Sequence, residues 1–346
     1  MKALLLSKYK QLEVTDQPMP TAEPDEILVR VAACGICGSD VHGYDGSSGR
    51  RIPPIVMGHE AAGRVAAIGS GVTGFAEGDR VTFDSTIYCG TCGYCRRGEV
   101  NLCDNRQVLG VSCGDYRRAG AFAEFVAVPS RIVYRLPDNL SFEEAALLEA
   151  VSVAIHAVSL AQVSANSTAL VVGAGMIGLL MVQVLRAAGC SRILVTDIDS
   201  SRLRLAQDVG AHVVLSAKFG VAAQVGKLTG GAGVDAAIEA VGQADTVNAS
   251  IESVRKGGTV VLVGNIAPEV ILPLQKVVTR QIRLQGSCAS AGEYPRAMEL
   301  LASGAIQVKN LITAIAPLAE GPLWFERLHA REPNLMKVIL RPGEAS

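Results

Sequence analysis

The first 136 residues alternate short apolar runs with glycine, proline and polar residues. Apolar runs of this length, bounded by turn-forming residues, are typical of β-strands. Gly78 and Asp79 form a predicted hairpin turn directly before one such run. The pattern therefore predicts an irregular β-barrel with strands at 27–31, 63–67, 80–83 and 121–128.

The pattern changes after Pro137. Ser141 is a predicted N-cap, and the acidic residues that follow it indicate the first turn of a helix. From residue 168 buried strands alternate with helices, which is typical of a doubly wound parallel sheet. The predicted strands lie at 169–172, 193–196, 212–215, 235–239, 259–263 and 282–284, and the helices at 179–188, 201–209 and 244–254. A tail with a helix at 293–302 and strands at 311–314 and 337–340 is too short for a separate domain, so we expect it to complete the first one.

A glycine-rich turn follows the first strand of this sheet. Gly173, Gly175 and Gly178 have the spacing G-x-G-x-x-G between a predicted strand and a predicted helix. This spacing alone is weak evidence, but in this context it predicts a dinucleotide site. The pyrophosphate would lie against the start of the helix at Met176 and Ile177.

An acidic residue follows at the end of the next predicted strand. Asp197 lies 19 residues after Gly178. A carboxylate there binds the ribose hydroxyls of the cofactor and repels a 2′-phosphate, so we expect NAD rather than NADP. Arg202 is close in sequence and leaves the phosphorylated cofactor as an alternative.

Length and composition agree with two domains of α/β and β character. The chain has 346 residues, 36 of them glycine, with 49% hydrophobic and only 4% aromatic residues. Its net charge of −1 gives no field for nucleic acid or an anionic membrane, so we expect neither partner. The first ten residues lack a signal-peptide core, and no apolar run reaches the ~18 residues of a membrane span. We therefore expect a soluble, cytoplasmic protein.

Four of the nine cysteines lie within one short segment. Cys89, Cys92, Cys95 and Cys103 follow one another at spacings that suit a tetrahedral ion. Four thiolates leave no open position, so the predicted role is a structural zinc site that stabilises a loop. Free or disulfide-bonded cysteines and an iron–sulfur cluster are the alternatives, and the zinc-type ligands elsewhere favour zinc.

A second set of metal ligands is mixed. Cys37, followed by His59 and Glu60, supplies sulfur, nitrogen and oxygen donors, which a catalytic zinc ion accepts. Glu149 lies in an otherwise apolar stretch and is expected to meet either a cation of the protein or this metal. Because one thiolate and one carboxylate already balance the charge of zinc, we predict that Glu60 and Glu149 do not both bind tightly at once.

Together, the 37–42 and 58–60 segments, the four-cysteine loop, Glu149 and the glycine turn resemble the zinc-dependent medium-chain dehydrogenase/reductase family. At position 149 this chain has a glutamate, whereas ethanol-type members of the family have a cysteine. In this respect the chain resembles the polyol dehydrogenase branch. The resemblance implies a GroES-like catalytic barrel domain, residues 1–151 and 289–346, with an inserted doubly wound Rossmann domain at 152–288. It also implies a homodimer or homotetramer, with the edge strand at 282–284 as a possible pairing surface.

The resemblance further implies a proton relay. Ser39 would accept the proton of the substrate alcohol, and His42 would pass it through the cofactor ribose to solvent. Asp40 would orient His59 or the relay rather than bind metal. The implied reaction is hydride transfer between NAD and a secondary alcohol of a polyol or a phosphorylated sugar alcohol.

Several readings stay open from the sequence. Sorbitol-type members carry an arginine near 286–290, which this chain lacks, so the substrate need not be sorbitol. A threonine-type, diol or secondary-alcohol dehydrogenase and a non-catalytic NAD-binding protein are the other functions. The pairs Arg50–Arg51 and Arg117–Arg118 are either solvated loop charges or a fork that selects a phosphorylated substrate. Cys34 forms C-x-x-C with Cys37, a spacing typical of redox pairs, but Cys37 is already a predicted metal ligand. Cys113, Cys190 and Cys288 are interpreted most simply as buried thiols, with Cys113 a possible cleft residue.

Overall fold

The computed structural model describes residues 1–112 and 118–343. Cys113 and Arg117 lie outside the described residues. The strands are β1 Lys2–Lys8, β2 Gln11–Asp16, β3 Glu26–Gly35, β4 Ile55–Val56, β5 Glu60–Ile68, β6 Arg80–Phe83, β7 Thr86–Ile87, β8 Gln107–Val108, β9 Phe125–Pro129, β10 Val133–Arg135, β11 Thr168–Val172, β12 Arg192–Asp197, β13 Val213–Ser216, β14 Val234–Glu239, β15 Val254–Leu262, β16 Arg283–Gly286, β17 Ile312–Pro317 and β18 Lys337–Arg341. The helices are α1 Gly38–Tyr44, α2 Gly93–Arg96, α3 Phe142–Ala146, α4 Leu148–Leu160, α5 Met176–Ala187, α6 Ser200–Asp208, α7 Val221–Leu228, α8 Ala244–Ser253, α9 Leu274–Thr279, α10 Tyr294–Ala302 and α11 Gly321–His329.

Backbone contacts divide the chain into two compact units. The first contains Met1–Glu149, Ser290–Ser303 and Val308–Ser346, and the second contains Ala150–Ala289 and Gly304–Gln307. The C-terminal tail thus groups with the N-terminal half, apart from the short 304–307 segment. The domain boundaries predicted from the sequence stay a prediction, because a division by contacts does not show which parts fold alone.

The first unit is mainly antiparallel β-structure. Its largest sheet has the order β10-β6-β5-β3-β18-β17, and β9 also pairs with β3. In the centre of this sheet, Gly35 at the end of β3 pairs with Glu60 of β5 and with Ile339 of β18. The alternating residues of these strands form one apolar core with Leu4, Leu6 and Phe122. The sheet thereby brings residues from both ends of the chain beside the start of β5.

The second unit is a parallel sheet with the order β13-β12-β11-β14-β15-β16. In chain order this is 3-2-1-4-5-6, the doubly wound arrangement of dinucleotide-binding domains. The central strand β11 is almost wholly apolar and buried, as expected for a strand covered on both faces. The strand order reverses between β11 and β14, where Val172 pairs with Glu239, and the carboxyl end of β12 lies on the other side of β11, because Val172 also pairs with Thr196. The predicted α/β plus β fold class is confirmed.

Within the described residues, no helix is long and apolar enough to span a membrane.

Candidate active site

The segment that follows β3 folds into the short helix α1. Cys37 is its N-cap, and the backbone N–H of Cys37 donates to Asp40 Oδ2 at 3.2 Å. Asp40 is the third residue of the helix, where a carboxylate satisfies a free N–H and interacts favourably with the helix dipole. Ser39 and His42 are three residues apart on α1, so they lie on neighbouring positions of one helix face. The local sequence thus fixes the thiol and both predicted relay residues on one element.

The three predicted metal ligands Cys37, His59 and Glu60 converge. Their ligand atoms all lie within 4.8 Å of one another, with His59 and Glu60 buried. His59 Nδ1 lies 3.3 Å from Asp40 Oδ1 but makes no well-formed hydrogen bond among the described residues. This leaves Nε2 as the nitrogen for a metal, with a carboxylate behind the ring, which is the usual setting of a zinc-binding histidine.

The charges around His59 and Asp40 support each other. Burial disfavours a charged His59 ring, but Asp40 and Cys37 outweigh it and raise the pKa of His59 well above its usual value. Burial likewise raises the pKa of Asp40, but the charges of His59 and Arg51 and the Cys37 N–H lower it to about 2. Metal binding at Nε2 would therefore release a proton from the ring.

Glu60 has a cationic partner that the sequence did not reveal. Lys337 Nζ on β18 lies 2.9 and 2.7 Å from the two carboxylate oxygens of Glu60 and 3.1 Å from the carbonyl oxygen of Ile36. The lysine is only 2% exposed. Burial lowers the pKa of Lys337, but Glu60 and Cys37 outweigh it and raise the pKa above its usual value. Glu60 is therefore a carboxylate shared between a buried ammonium and the metal group.

Glu149 is partly buried near this group without belonging to it. Its Oε1 accepts a hydrogen bond from Ser85 Oγ at 3.3 Å, and the group of convergent ligand atoms found among the described residues does not include it. Burial raises the pKa of Glu149, and Glu60 adds to that while His59 opposes it. The prediction that only one of Glu60 and Glu149 binds the metal at a time remains untested.

The four cysteines of the loop at 89–103 also converge. Their sulfur atoms lie within 4.8 Å of one another, with Cys89–Cys95 at 4.0 Å and Cys92–Cys95 at 3.5 Å. A tetrahedral zinc ion with Zn–S bonds of about 2.3 Å places its sulfurs about 3.8 Å apart, so the loop fits the ion. Hydrogen bonds from the hydroxyl and N–H of Thr91 and the N–H of Cys92 lower the pKa of Cys89 to about 5. All four thiols are free.

The glycine turn lies between β11 and α5, as predicted. A Cβ atom on Gly178 would lie 1.9 Å from the carbonyl oxygen of Gly173, so the close contact of helix and strand needs a glycine. Gly175 is the N-cap of α5, and no atom lies within 4 Å of the Cβ position at this residue. The first-turn N–H groups of Met176 and Ile177 therefore border a space that a pyrophosphate can enter.

Asp197 ends β12 beside this turn. Its Oδ2 accepts from the N–H of Ala174 at 2.7 Å, and its Oδ1 accepts from the N–H of Asp199 at 2.8 Å. Each carboxylate oxygen keeps a further lone pair, so a ribose diol can still bind. Arg202 Nε lies 4.0 Å from Asp199 Oδ2, which draws its charge toward Asp199.

Of the two arginine pairs, the described residues Arg50, Arg51 and Arg118 do not form a joint fork. Arg50 is exposed, whereas Arg51 is buried and donates to Ser39 Oγ and Asp40 Oδ1. Arg118 contacts Glu26 Oε1 and donates to Gln107 Oε1 and the carbonyl oxygen of Ala127. The idea that Arg50 and Arg51 jointly select a phosphate is therefore not supported.

Sequence reasoning missed three residues of the site. Lys337 was read only as part of a strand, although a lysine before three apolar strand residues signals a buried partner. The sequence leaves Arg51 either as a solvated loop charge or as part of a substrate fork, and no neighbouring residue indicates that it turns inward to Ser39 and Asp40. Asp84 is buried directly after β6, where no sequence pattern marks it, and its Oδ2 accepts from Ser290 Oγ at 3.4 Å.

The chain combines a mixed group of zinc ligands, a group of four cysteines and a dinucleotide-binding turn. Together these features define a zinc-dependent dehydrogenase. The family models agree. Residues 23–138 match the alcohol dehydrogenase GroES-like domain, and residues 177–303 match the zinc-binding dehydrogenase domain.

Comparisons over the full chain agree with these matches. The chain is 35% identical to sorbitol dehydrogenase of Bacillus subtilis (strain 168), covering 99% of this chain and 98% of that protein. It is also 35% identical to D-arabitol-phosphate dehydrogenase of Enterococcus avium, over 96% and 94% of the two chains. Among solved structures, the alcohol dehydrogenase TADH of Thermus sp. ATN1 matches with a TM-score of 0.93 and 34% identity, over 99% of both chains. The chain belongs to the zinc-dependent medium-chain dehydrogenase/reductase family, in its polyol dehydrogenase branch.

Proposed function

We propose that this protein oxidises a secondary alcohol of a polyol or sugar-alcohol phosphate by hydride transfer to NAD. The observation that carries the proposal is the convergence of Cys37, His59 and Glu60 next to the helix that bears Ser39. The names of the two similar proteins, which refer to sorbitol and to arabitol phosphate, support a polyol as the class of substrate.

The protein's own residues have distinct roles in the proposed reaction. Cys37, His59 and Glu60 or Glu149 hold a zinc ion, which when bound polarises the alcohol oxygen and lowers its pKa. The Asp40 carboxylate lies 3.3 Å behind His59 Nδ1 and balances the charge of the ring, and Lys337 pairs with Glu60. Ser39 accepts the proton of the alcohol and His42 passes it toward solvent, because an imidazole can accept a proton at one ring nitrogen and donate one from the other.

We infer that the cofactor is NAD rather than NADP. Asp197 brings a carboxylate to the end of β12, where it repels a 2′-phosphate, and Arg202 is drawn to Asp199 instead. We expect kcat/KM to be at least ~10-fold higher with NAD than with NADP. Asp197→Ala should remove most of this preference, whereas equal preference before and after the change would contradict the role of Asp197.

We also propose a homodimer or homotetramer formed with a second copy of the chain. β16 is an edge strand, and three apolar residues in the segment that precedes it, Ile271, Leu274 and Val278, are 89%, 65% and 68% exposed. An unpaired strand edge and exposed apolar residues both favour pairing with another chain. Val278→Glu should lower the mass measured by light scattering, and an unchanged oligomer would contradict this surface.

The thiols support a reducing compartment, and we propose the cytoplasm. No disulfide joins the eight described cysteines, and five of them are predicted zinc ligands. Zinc-binding thiolates of this kind persist where disulfides are kept reduced.

The function is tested by NADH formation from a panel of substrates on zinc-loaded protein. The panel contains free polyols, polyol phosphates, vicinal diols and threonine. We expect turnover with a free or phosphorylated polyol at a kcat/KM at least ~10-fold above the diols and threonine. A preference for threonine or for a diol would contradict the proposal and identify the protein as a threonine or diol dehydrogenase. No turnover with any substrate of the panel would support a non-catalytic NAD-binding protein.

A further inference from the structure

A buried arginine lies beside the predicted proton acceptor. Arg51 is 5% exposed, and its Nη2 donates to Ser39 Oγ at 3.1 Å and to Asp40 Oδ1 at 3.2 Å. Its Nε is buried and has no hydrogen-bond partner among the described residues. A buried guanidinium that leaves a donor unsatisfied is unfavourable for stability alone. This arrangement therefore suggests a role in the reaction.

The helix that carries Ser39 leaves room for this arginine. Gly43 lies inside α1, where glycine is less favourable than alanine. A Cβ atom at Gly43 would lie 2.7 to 2.9 Å from Cβ, Cγ and Cδ of Arg51. The glycine thus lets the arginine stem pass closely over the helix, and the guanidinium reaches the first turn of α1.

We propose that Arg51 is a positioning residue for proton transfer from the substrate alcohol: it fixes the Ser39 hydroxyl and connects it to Asp40, the carboxylate beside His59. The inference rests on the proposed alcohol oxidation. Because Ser39 Oγ accepts from Arg51, the hydroxyl hydrogen must point away from the guanidinium. The other lone pair of Oγ stays free to accept a proton.

The proton transfer that follows is balanced. The alcohol proton binds to Ser39 Oγ as the original hydroxyl hydrogen leaves to the next group of the relay. Ser39 ends as a neutral hydroxyl, and Arg51 keeps all its protons. As the original hydroxyl hydrogen departs, partial negative charge develops on Oγ, and the fixed positive charge of Arg51 stabilises it until the alcohol proton is bound. Arginine suits this role because its planar fork holds two acceptors in one geometry.

The central test is a double-mutant cycle with Arg51→Met and Ser39→Ala. We expect Arg51→Met to lower kcat by ~10–100-fold, the usual effect of removing a group that orients a reacting residue. KM for the alcohol should change little, because the interaction acts in the transition state. The double variant should be no slower than Ser39→Ala, since Arg51 acts through Ser39. Additive losses would overturn the proposal.

A second readout separates positioning from a structural role. The solvent deuterium isotope effect on kcat should rise in Arg51→Met, because proton transfer becomes slower relative to the other steps. Zinc content and NADH affinity should equal those of the wild-type protein. Arg50→Met is the matched control, because Arg50 is exposed, and it should keep wild-type kcat and isotope effect. An unchanged isotope effect in Arg51→Met would overturn the proposal.

Arg51→Lys keeps the charge and decides the case if Arg51→Met does not fold. A lysine should restore part of kcat but not the low isotope effect, because one nitrogen does not hold two acceptors in the same geometry. Wild-type values of both would overturn the proposal. If the proposed function is wrong, the wild-type protein itself oxidises no alcohol. If only the role of Arg51 is wrong, the wild type and Arg51→Met are equally active.

Discussion

At the scale of single residues, the partner of Glu60 determines how this carboxylate can serve a metal. Both oxygens of Glu60 lie within 2.9 Å of Lys337 Nζ, and both residues are buried. The ammonium lowers the net negative charge of the ligand group, which preserves the ability of a bound zinc ion to attract electrons from the substrate oxygen. It also stabilises a buried carboxylate that would otherwise be unpaired.

Removing this ammonium should therefore destabilise the protein. Lys337→Met leaves Glu60 as an uncompensated buried charge, and breaking such a pair costs about 3–5 kcal/mol of unfolding free energy. The measurement is urea unfolding of the zinc-free protein. Lys309→Met, at an exposed lysine, is the control and should change stability by less than about 0.5 kcal/mol. Equal midpoints for the two variants would show that the pair is dispensable.

Asp84 is a second buried carboxyl with an unusual charge state. It is 5% exposed, and burial together with the nearby Glu149 raises its pKa to about 7, although the Thr86 N–H opposes this. Between pH 4 and pH 7 the folded protein holds a proton at Asp84 that the unfolded chain has lost. Stability from this residue is therefore lost as pH rises through this range, and the full cost is present above pH 7.

Asp84→Asn should remove that cost. Its amide oxygen can still accept from the N–H of Thr86. Above pH 7 we expect the variant to be more stable than the wild type by on the order of 4 kcal/mol, and the difference should vanish near pH 4. Urea unfolding across this pH range tests it. The exposed Asp138→Asn should show no such pH dependence, and a constant difference for Asp84→Asn would refute the assignment.

Residue types and spacing were enough to predict the metal groups, because Cys37, His59, Glu60 and the four-cysteine set carry their chemistry in the sequence. Their partners were not predictable. Lys337 meets Glu60 only because β18 pairs with β3 across 301 residues of chain, from Ile36 to Lys337. Arg51 turns inward because Gly43 is close to its stem, and no pattern in the sequence shows that contact.

At the scale of elements, the turn between β11 and α5 offers a matched pair of glycines. Gly178→Ala would place its Cβ 1.9 Å from the Gly173 carbonyl oxygen, so α5 must shift away from the strand. We expect a loss of about 1–3 kcal/mol in unfolding free energy and loss of NADH binding. Urea unfolding and NADH fluorescence titration measure the two effects.

Gly175→Ala, in the same turn, is the matched variant that should weaken cofactor binding without affecting stability. The backbone at Gly175 has a φ of −73°, which any residue adopts, and open space surrounds its Cβ position. The fold should therefore keep its stability, whereas NADH affinity should fall by ~10-fold or more, because the methyl group occupies the space of the pyrophosphate. Equal stability losses in the two variants would contradict the description of this turn.

Elements with strong periodicity were predicted well, and those formed by tertiary contacts were not. The strand predicted at 80–83 is β6, and all six strands of the parallel sheet were found. The strand predicted from residue 121 starts at Phe125, because Ala121 and Phe122 donate instead to Gly58 and Met57. Helix α1 was missed, since its sequence GSDVHGY contains two glycines and no apolar stripe.

At the scale of the whole molecule, the tail joins the first unit through β18, which pairs with β3 next to the predicted ligands. The metal group thus combines the N-terminal half with Lys337 from the last strand. The sequence motifs are therefore enough to predict the two kinds of domain and their order along the chain. The partners of the metal ligands are visible only in the folded structure, because Lys337 is far from those ligands in sequence.

The central claim is that the Cys37 group holds the zinc ion needed for alcohol oxidation, and one experiment tests it directly. Zinc content and the rate of NADH formation from the preferred polyol are measured together for the wild type, Cys37→Ala and His59→Ala. We expect two zinc ions per chain in the wild type, and one zinc ion with at least ~1000-fold slower turnover in each variant. A variant that retains turnover with one zinc ion, or loses turnover with both ions bound at unchanged affinity, would contradict the account.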